Sequence, residues 1–303
     1  MNNKRLYQGL ADLGLMYDPA VAVVYSGAQE YYGGFLWEAK WFCGMPEDFQ
    51  KRYRLCVALN GMKFTLAMEN FEKPRDWEAI SAATCFILAG CLLDHLIDEG
   101  ISEDRALALE KLDWEYCAHY FVRFGPARSE HTVDMLYGVI GAFLRERKHV
   151  STAAYHQLIS HLRRAIQAET ADKKSIGEDR ELVVDKSVLF VVIGFELAMY
   201  GDHTQQEWET FFLIGDIFRI IDDLCDAEQD ARVGHMNSLL SGQELTDLPI
   251  DKTLSDLGES LEQLKALVSE PFYEFIRYEI QSWTLSNAYL FNKITEGIPC
   301  PTL

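Results

Sequence analysis

The stretch FFLIGDIFRIIDDLCDAEQD, residues 211–230, carries the strongest structural signal in the chain. Its first half is almost entirely apolar and lacks the polar face of a surface helix, which predicts a helix in the middle of a bundle. Its second half places Asp222 and Asp226 four residues apart on one face of that helix, with Asp223 beside them. An apolar helix is therefore expected to end in a cluster of carboxylates, whose inner members lie at the rim of the core rather than in open water.

A second stretch, CFILAGCLLDHLIDEG at residues 85–100, repeats this arrangement with Asp94 and Asp98 at i and i+4 and Glu99 adjacent. Both clusters lie near helix C-termini, where the macrodipole disfavours negative charge and crowded carboxylates repel one another. A single cluster of this kind is usually a solvated helix end. Two of them favour a cation, and Mg²⁺ suits them because it takes one or two carboxylates and fills its other positions with water and phosphate oxygens.

The rest of the chain has helical periodicity, few β-branched runs and prolines at the expected helix breaks. We predict an all-α protein with a single domain over residues 1–303. The stretches Ala79–Leu93, Ser187–Met199 and Phe211–Ile221 lack a polar face and are expected at the centre. Helices are predicted near residues 20–43, 48–71, 76–99, 102–123, 129–148, 151–171, 184–200, 205–229, 253–268 and 271–293, with irregular segments at 172–183 and 230–252.

Composition excludes several classes of function. The 303 residues include 47 acidic and 28 basic side chains, a formal charge of −19, which argues against binding to nucleic acid or to an anionic membrane surface. The longest apolar stretch, Val188–Met199, contains Glu196 and is too short to span a bilayer, so no membrane insertion is expected. The seven cysteines are scattered without a CxxC pair, and no secretory signal is visible, which together favour a cytoplasmic location.

Three motifs resemble those of one enzyme family, the trans-isoprenyl diphosphate synthases. IIDDLCD at residues 220–226 resembles the family's second aspartate-rich motif, and LDHLID at 93–98 resembles a degenerate first DDxxD motif, with His95 in place of the second Asp. KSVLF at 186–190 resembles the family's Lys-Thr helix. The motifs stand in the family's order, and the resemblance covers roughly residues 48–240.

The resemblance implies the class I isoprenoid synthase fold, a helical bundle in which two Asp-rich helices face each other across a deep central cavity. It implies three Mg²⁺ ions that hold an allylic prenyl diphosphate, and relatives that are commonly homodimers. Lys186 would contact the diphosphate directly. Arg219, where the family has Gln, would either pair with nearby acids or contact the diphosphate, and Asn237 would contact metal or phosphate or make a loop hydrogen bond. The implied metal ligands are Asp94, Asp98, Glu99, Asp222, Asp223 and Asp226, and the catalytic set is Asp94, Asp98, Asp222, Asp223 and Lys186.

The chemistry agrees with this assignment. Breaking an allylic C–O bond requires the growing charge of the leaving diphosphate to be neutralised, and the carbocation must then be shielded from water by apolar and aromatic walls. Phe86, Phe190 and Phe218 are candidates for these walls, although each is more often simply a core residue. Ala89 and Gly90 are small residues at the position that keeps the cavity deep in relatives, which implies a substrate of C15 or longer.

The second substrate site of chain-elongating relatives is incomplete in this sequence. KRYRL at residues 51–55 resembles the family's KRxRP element, in which Lys51 and Arg54 would bind isopentenyl diphosphate, but the Pro and the preceding Gly-Gly are absent. An acidic run, DEGISEDR at 98–105, replaces the family's Arg pair, and Ile87 replaces its His. We therefore expect a terpene synthase that cyclises or rearranges one prenyl diphosphate. Two alternatives stay open: a prenyltransferase that joins an allylic diphosphate to isopentenyl diphosphate or another acceptor, and an inactive scaffold partner of a prenyl synthase.

Overall fold

The computed structural model describes residues 3–16, 32, 34–98, 129–172, 180–233, 237, 239 and 249–296. Throughout these ranges the regular elements are helices and no strand is present, which confirms the all-α prediction. The elements are α1 (Asn3–Asp12), a 3₁₀ helix (Gly34–Glu38), α2 (Lys40–Cys43), α3 (Glu47–Asn70), α4 (Trp77–Asp98), α5 (Ser129–Arg147), α6 (Thr152–Asp172), α7 (Arg180–Ala198), α8 (Gln205–Val233), α9 (Ile250–Leu267) and α10 (Glu270–Glu296).

Helix α7 lies at the centre of the bundle, where it packs against α3, α4, α6 and α8. Nearly all of its apolar side chains from Val188 to Ala198 are buried, and the corresponding stretches of α4 and α8 are buried as well. The three segments without a polar face are therefore core helices, as predicted. Among the described helices, none has an apolar stretch long enough to cross a membrane.

Helices α4 and α7 run antiparallel and approach each other closely. A Cβ atom at Gly194 would lie 3.2 Å from Ile87 Cδ1, and one at Gly90 would lie 2.1 Å from the ring of Phe190. As residue numbers rise along α4 they therefore fall along α7. The last turns of α4 and the first turns of α7 consequently lie at the same end of the bundle.

Helix α8 is also antiparallel to α7. The rings of Phe195 and Phe211 stack with centroids 5.1 Å apart, and further along α8 a Cβ at Gly215 would lie 2.9 Å from the carbonyl oxygen of Val188. The C-terminal half of α8 therefore lies at the same end of the bundle as the end of α4 and the beginning of α7. This end is called the acidic end below, because the chain places Asp94–Asp98 and Asp222–Asp226 there.

Most predicted helices agree with the structure to within about one turn at each end. The prediction of one continuous helix over 20–43 is wrong in its described part, since the 3₁₀ helix and α2 are separated by Ala39, whose backbone is extended. The break is stabilised by tertiary contacts: Leu36 is fully buried, and the Trp37 indole N–H donates to the carbonyl oxygen of Arg54 at 3.0 Å. The predicted helix over 102–123 lies outside the described residues.

Helix α1 was not predicted, because its sequence reads as mixed and polar. It forms against α9: Leu6 and Leu10 are buried, and a Cβ at Gly9 would lie 2.2 Å from Leu254 Cδ1. The missing side chain of Gly9 lets the two helices touch. The stability of α1 therefore comes from tertiary burial rather than from its own helix propensity.

Candidate metal and diphosphate site

The acids of α8 lie at the rim of the core. Ile221 and Leu224 are buried on either side of them, Asp223 is 8% exposed, and Asp222 and Asp226 are partly exposed. Carboxylates in this position lose part of their hydration but remain accessible to solvent. This is the rim placement that the sequence predicts for the inner acids of the cluster.

Arg219 pairs with two of the acids on its own helix. Its Nε and Nη2 donate to Asp216 Oδ1 at 3.0 and 2.6 Å, and its Nη1 donates to Asp223 Oδ2 at 3.0 Å. The Arg219 side chain is only 12% exposed, so these charge-assisted hydrogen bonds are held in a poorly solvated position. Of the two roles that the sequence leaves open for Arg219, the structure shows pairing with local acids.

The segment that follows α8 returns to the same acids through Asn237. This side chain is 4% exposed, and its Nδ2 donates to the carbonyl oxygen of Asp223 at 2.8 Å and to Asp230 Oδ2 at 3.0 Å. Its Oδ1 accepts the backbone N–H of Leu239 at 3.0 Å. Asn237 therefore makes the loop hydrogen bonds that were one of its two predicted roles, and it ties the segment to the acid cluster.

Asp226 shows the electrostatic cost of this cluster. Burial, together with the negative charges of Asp230 and Asp223, raises the pKa of Asp226 to about 6. Asp230 was not among the predicted site residues, although its position four residues after Asp226 places it on the same helix face and could have identified it. A crowded set of oxygen donors that resists full ionisation fits a hard divalent cation such as Mg²⁺.

The acids of the first motif are described by their backbone alone. Helix α4 ends at Asp98, so Asp94 and Asp98 occupy its last two turns at the acidic end, while Glu99 lies outside the described residues. Among the side chains that the structure describes, no group of three or more Asp, Glu, His or Cys residues is arranged to chelate a metal ion. A site shared between the two motifs stays a prediction.

Lys186 lies in the first half of α7, which also begins at the acidic end. It lies two residues before Val188, whose backbone Gly215 of α8 approaches closely. Its side chain is outside the described part of the structure. The three predicted motifs therefore share one end of the bundle, although a direct contact between them is not described.

The candidate cavity walls lie just below this end, toward the centre of the bundle. Phe86 and Phe190 have ring centroids 5.2 Å apart, and Phe218 is buried on α8. Ala89 is fully buried, and the space beside Gly90 is occupied by the Phe190 ring. The depth predicted from Gly90 therefore depends on where this ring lies, and the central cavity itself stays a prediction.

Lys51 and Arg54 begin α3, which is joined to α4 by a short loop and packs against it, so both lie at the acidic end. Their side chains turn outward. The Lys51 side chain is 75% exposed and its Nζ lies 2.8 Å from Glu47 Oε1, while the guanidinium of the exposed Arg54 lies 4.0 Å from the ring centroid of Trp37. Both cations are thus engaged at the surface.

The structure brings together Arg219, Asp223, Asp226, Asn237 and Asp230, of which only Asp230 was not predicted. It places the backbones of Asp94, Asp98 and Lys186 at the same end of the bundle. Neither the models of known protein families nor the curated proteins give a match to this chain. What the site does is therefore inferred from the arrangement of its residues.

Proposed function

We propose that this protein is a Mg²⁺-dependent class I terpene synthase, built on the isoprenoid synthase fold with a central cavity. It would ionise an allylic prenyl diphosphate of C15 or longer and cyclise or rearrange the carbocation. One observation carries the proposal: the partly buried carboxylates of α8 share one end of an all-α bundle with the last turns of α4 and the first turns of α7. That end would collect the two acidic motifs and the lysine around a single substrate.

The roles of the residues follow from their chemistry. The carboxylates of Asp94, Asp98 and Glu99 on one side and of the α8 acids on the other would hold Mg²⁺, which when bound neutralises charge on the leaving diphosphate. Lys186 would bind the same diphosphate directly. Phe86, Phe190 and Phe218 would form apolar walls that exclude water and present aromatic faces to the cation.

The positions of Lys51 and Arg54 favour this function over chain elongation. The cations that would bind isopentenyl diphosphate, Lys51 and Arg54, are exposed and engaged with Glu47 and Trp37. Both side chains therefore lie on the outer surface of the bundle. Transfer to a second prenyl substrate is accordingly an outcome of the test below.

The test is an assay of purified protein with Mg²⁺ and geranyl, farnesyl or geranylgeranyl diphosphate, each with and without isopentenyl diphosphate. We expect hydrocarbon or alcohol products from the C15 or C20 substrate without the second substrate. Longer diphosphates formed only with isopentenyl diphosphate would establish a prenyltransferase instead. No turnover under any condition would favour the scaffold alternative.

Variants tie the result to the acids. Asp94→Asn and Asp223→Asn should each abolish turnover while helix content by circular dichroism is unchanged. Asp256→Asn, which alters an exposed acid paired with Lys252 on α9, is the matched control and should leave turnover intact. Retained activity in Asp94→Asn or Asp223→Asn would refute the metal assignment.

A further inference from the structure

A stripe of polar side chains crosses the interior of the bundle on α3. Cys56, Asn60 and Lys63 follow one another at helical spacing on one face, and Asn60 and Lys63 are buried, at 3% and 7% exposed. Polar groups in such a place require hydrogen-bond partners, because each buried polar group without one costs about 1–3 kcal/mol. The described residues supply hydrogen-bond partners for only some of the polar atoms in this stripe.

Lys63 is paired across the bundle with Glu279 of α10. Its Nζ donates to Glu279 Oε1 at 2.8 Å, and the two side chains are 9% and 17% exposed. Among the described residues this is the single hydrogen bond of the ammonium group, which can donate three. The rings of Phe64 and Phe218 also lie near this ammonium, with centroids 5.5 and 5.8 Å from Nζ.

Two acceptors on the residues of this stripe and its ion pair also lack hydrogen-bond partners among the described residues. Glu279 Oε2 and Asn60 Oδ1 are both buried and accept no hydrogen bond from the described residues. Asn60 uses only its Nδ2, which donates to the carbonyl oxygen of Cys56 at 2.9 Å. The charges of Lys63 and Glu279 both act on the pKa of the Cys56 thiol, which burial raises to about 12, so these groups form one cluster.

The spare donors of Lys63 and the unpaired acceptors Glu279 Oε2 and Asn60 Oδ1 could be satisfied together by one small neutral molecule. A water oxygen can accept from the ammonium of Lys63 while its hydrogens go to Glu279 Oε2 and Asn60 Oδ1, and buried waters typically make about three such bonds. A cation bound at this place would be repelled by Lys63, and an anion would be repelled by Glu279. The cluster also adjoins Phe218, a wall of the proposed cavity.

We propose that Lys63, Glu279 and Asn60 hold the water molecule that ends the reaction, so that the main product is a terpene alcohol rather than a hydrocarbon. This rests on the function proposed above. The water oxygen forms a C–O bond to the carbocation, one O–H bond of the resulting oxonium breaks, and the proton passes to Glu279 Oε2. Until then Lys63 stays hydrogen-bonded to Glu279, and because the two opposite charges offset each other, the pair does not repel the approaching cation.

The experiment is turnover in H₂¹⁸O with product analysis by mass spectrometry. We expect the alcohol to carry ¹⁸O and the released diphosphate to carry none, because the new C–O bond comes from water. Hydrolysis at phosphorus by a contaminating phosphatase would give unlabelled alcohol and labelled phosphate, which would overturn the assignment. If the wild-type protein makes only hydrocarbon, this inference is wrong but the proposed terpene synthase function stands. If there is no turnover, both proposals are contradicted.

The variants locate the water. Glu279→Gln should lower the ratio of alcohol to hydrocarbon at least about a hundredfold, the lower end of what a positioned proton acceptor contributes. Glu274→Gln is the control, since this acid lies on the same helix but pairs with the partly exposed Arg277. An unchanged ratio in Glu279→Gln would overturn the proposal.

A second variant guards against misfolding, because Glu279→Gln leaves Lys63 unpaired. The double variant Lys63→Met/Glu279→Leu removes both charges, an exchange that buried ion pairs often tolerate without loss of stability. It should melt near the wild-type temperature and show the same shift to hydrocarbon. A folded double variant that still makes labelled alcohol would contradict the inference, as would a crystal structure with no ordered water bonded to Lys63 Nζ and Glu279 Oε2.

Discussion

Arg219 Nη1 donates a 3.0 Å hydrogen bond to Asp223 Oδ2 one turn further along α8, and the two side chains are almost equally shielded, at 12% and 10% exposed. The guanidinium therefore supplies positive charge to the carboxylate that the proposed metal site also needs. The guanidinium of Arg219 and a bound Mg²⁺ would therefore both act on Asp223. Removing the guanidinium should change how strongly the stability of the protein depends on Mg²⁺.

Arg219→Gln should lower the free energy of unfolding by about 2–4 kcal/mol in the presence of EDTA, because a poorly solvated carboxylate loses its partner. Millimolar Mg²⁺ should restore part of that loss. Urea denaturation with and without Mg²⁺ measures both quantities. The control is Arg75→Gln, whose pair with Glu69 is far more exposed and should cost less than about 1 kcal/mol. Equal losses with and without Mg²⁺ would contradict the idea.

Asp226→Asn should raise the melting temperature of the metal-free protein. The charge of Asp226 is opposed by burial and by Asp230 and Asp223, so its removal relieves repulsion within α8. The same change should weaken or abolish any rise in melting temperature on addition of Mg²⁺. Differential scanning calorimetry across a Mg²⁺ titration provides the measurement. A variant that gains as much from Mg²⁺ as the wild type would exclude Asp226 as a ligand.

His203 should make the protein less stable in acid. Burial lowers the pKa of this imidazole from its usual 6.5 to about 4, and its ring packs against Trp208 and Phe211. Because the unfolded chain takes up the proton first, the contribution of His203 is present above about pH 6.5 and is lost as the pH falls toward 4. The loss should be about 3 kcal/mol.

The matching measurement is the free energy of unfolding as a function of pH. His203→Phe should flatten the curve between pH 6.5 and 4, since the ring contacts are kept and the titrating group is removed. His156→Phe, at an exposed position on α6, should leave the slope unchanged. An unaltered slope in His203→Phe would show that another group governs the acid limb.

Gly215→Ala should destabilise the protein, because the new Cβ would lie 2.9 Å from the carbonyl oxygen of Val188 and 3.1 Å from its Cγ1. Helices α7 and α8 would have to separate, at a cost of about 1–3 kcal/mol. Gly34→Ala is the control, since its Cβ would meet Trp37 only at 3.5 Å, an ordinary contact. Thermal melts of the two variants compare the costs, and equal stability would show that the interface can relax.

The central part of the fold was predictable because its signal is local. A helix such as Ser187–Met199, which has no polar face, can avoid water only by being surrounded, and α7 is surrounded by four helices. Helix α1 was missed because the burial of Leu6 and Leu10 depends on α9, more than two hundred residues away in the sequence. The break at Ala39 was missed for a similar reason, since a contact between Trp37 and α3 stabilises it.

The candidate site was predictable to a similar degree. Acids at i and i+4 after an apolar run had to lie at a rim, and the burial of Asp223 agrees with that expectation. The same spacing rule could have added Asp230. No rule of spacing could have shown that Asn237 donates to the Asp223 carbonyl, because that bond depends on how the chain turns after α8.

The amino-acid sequence by itself determined that the chain is all-α, which helices are buried and where carboxylates collect, because periodicity and charge spacing act over a few residues. Only the tertiary structure decided which charges meet. Arg219 could have faced a ligand but pairs with Asp216 and Asp223, and Lys63 meets Glu279 across 216 positions of sequence. Such partners are chosen by the packing of whole helices, which local sequence does not encode.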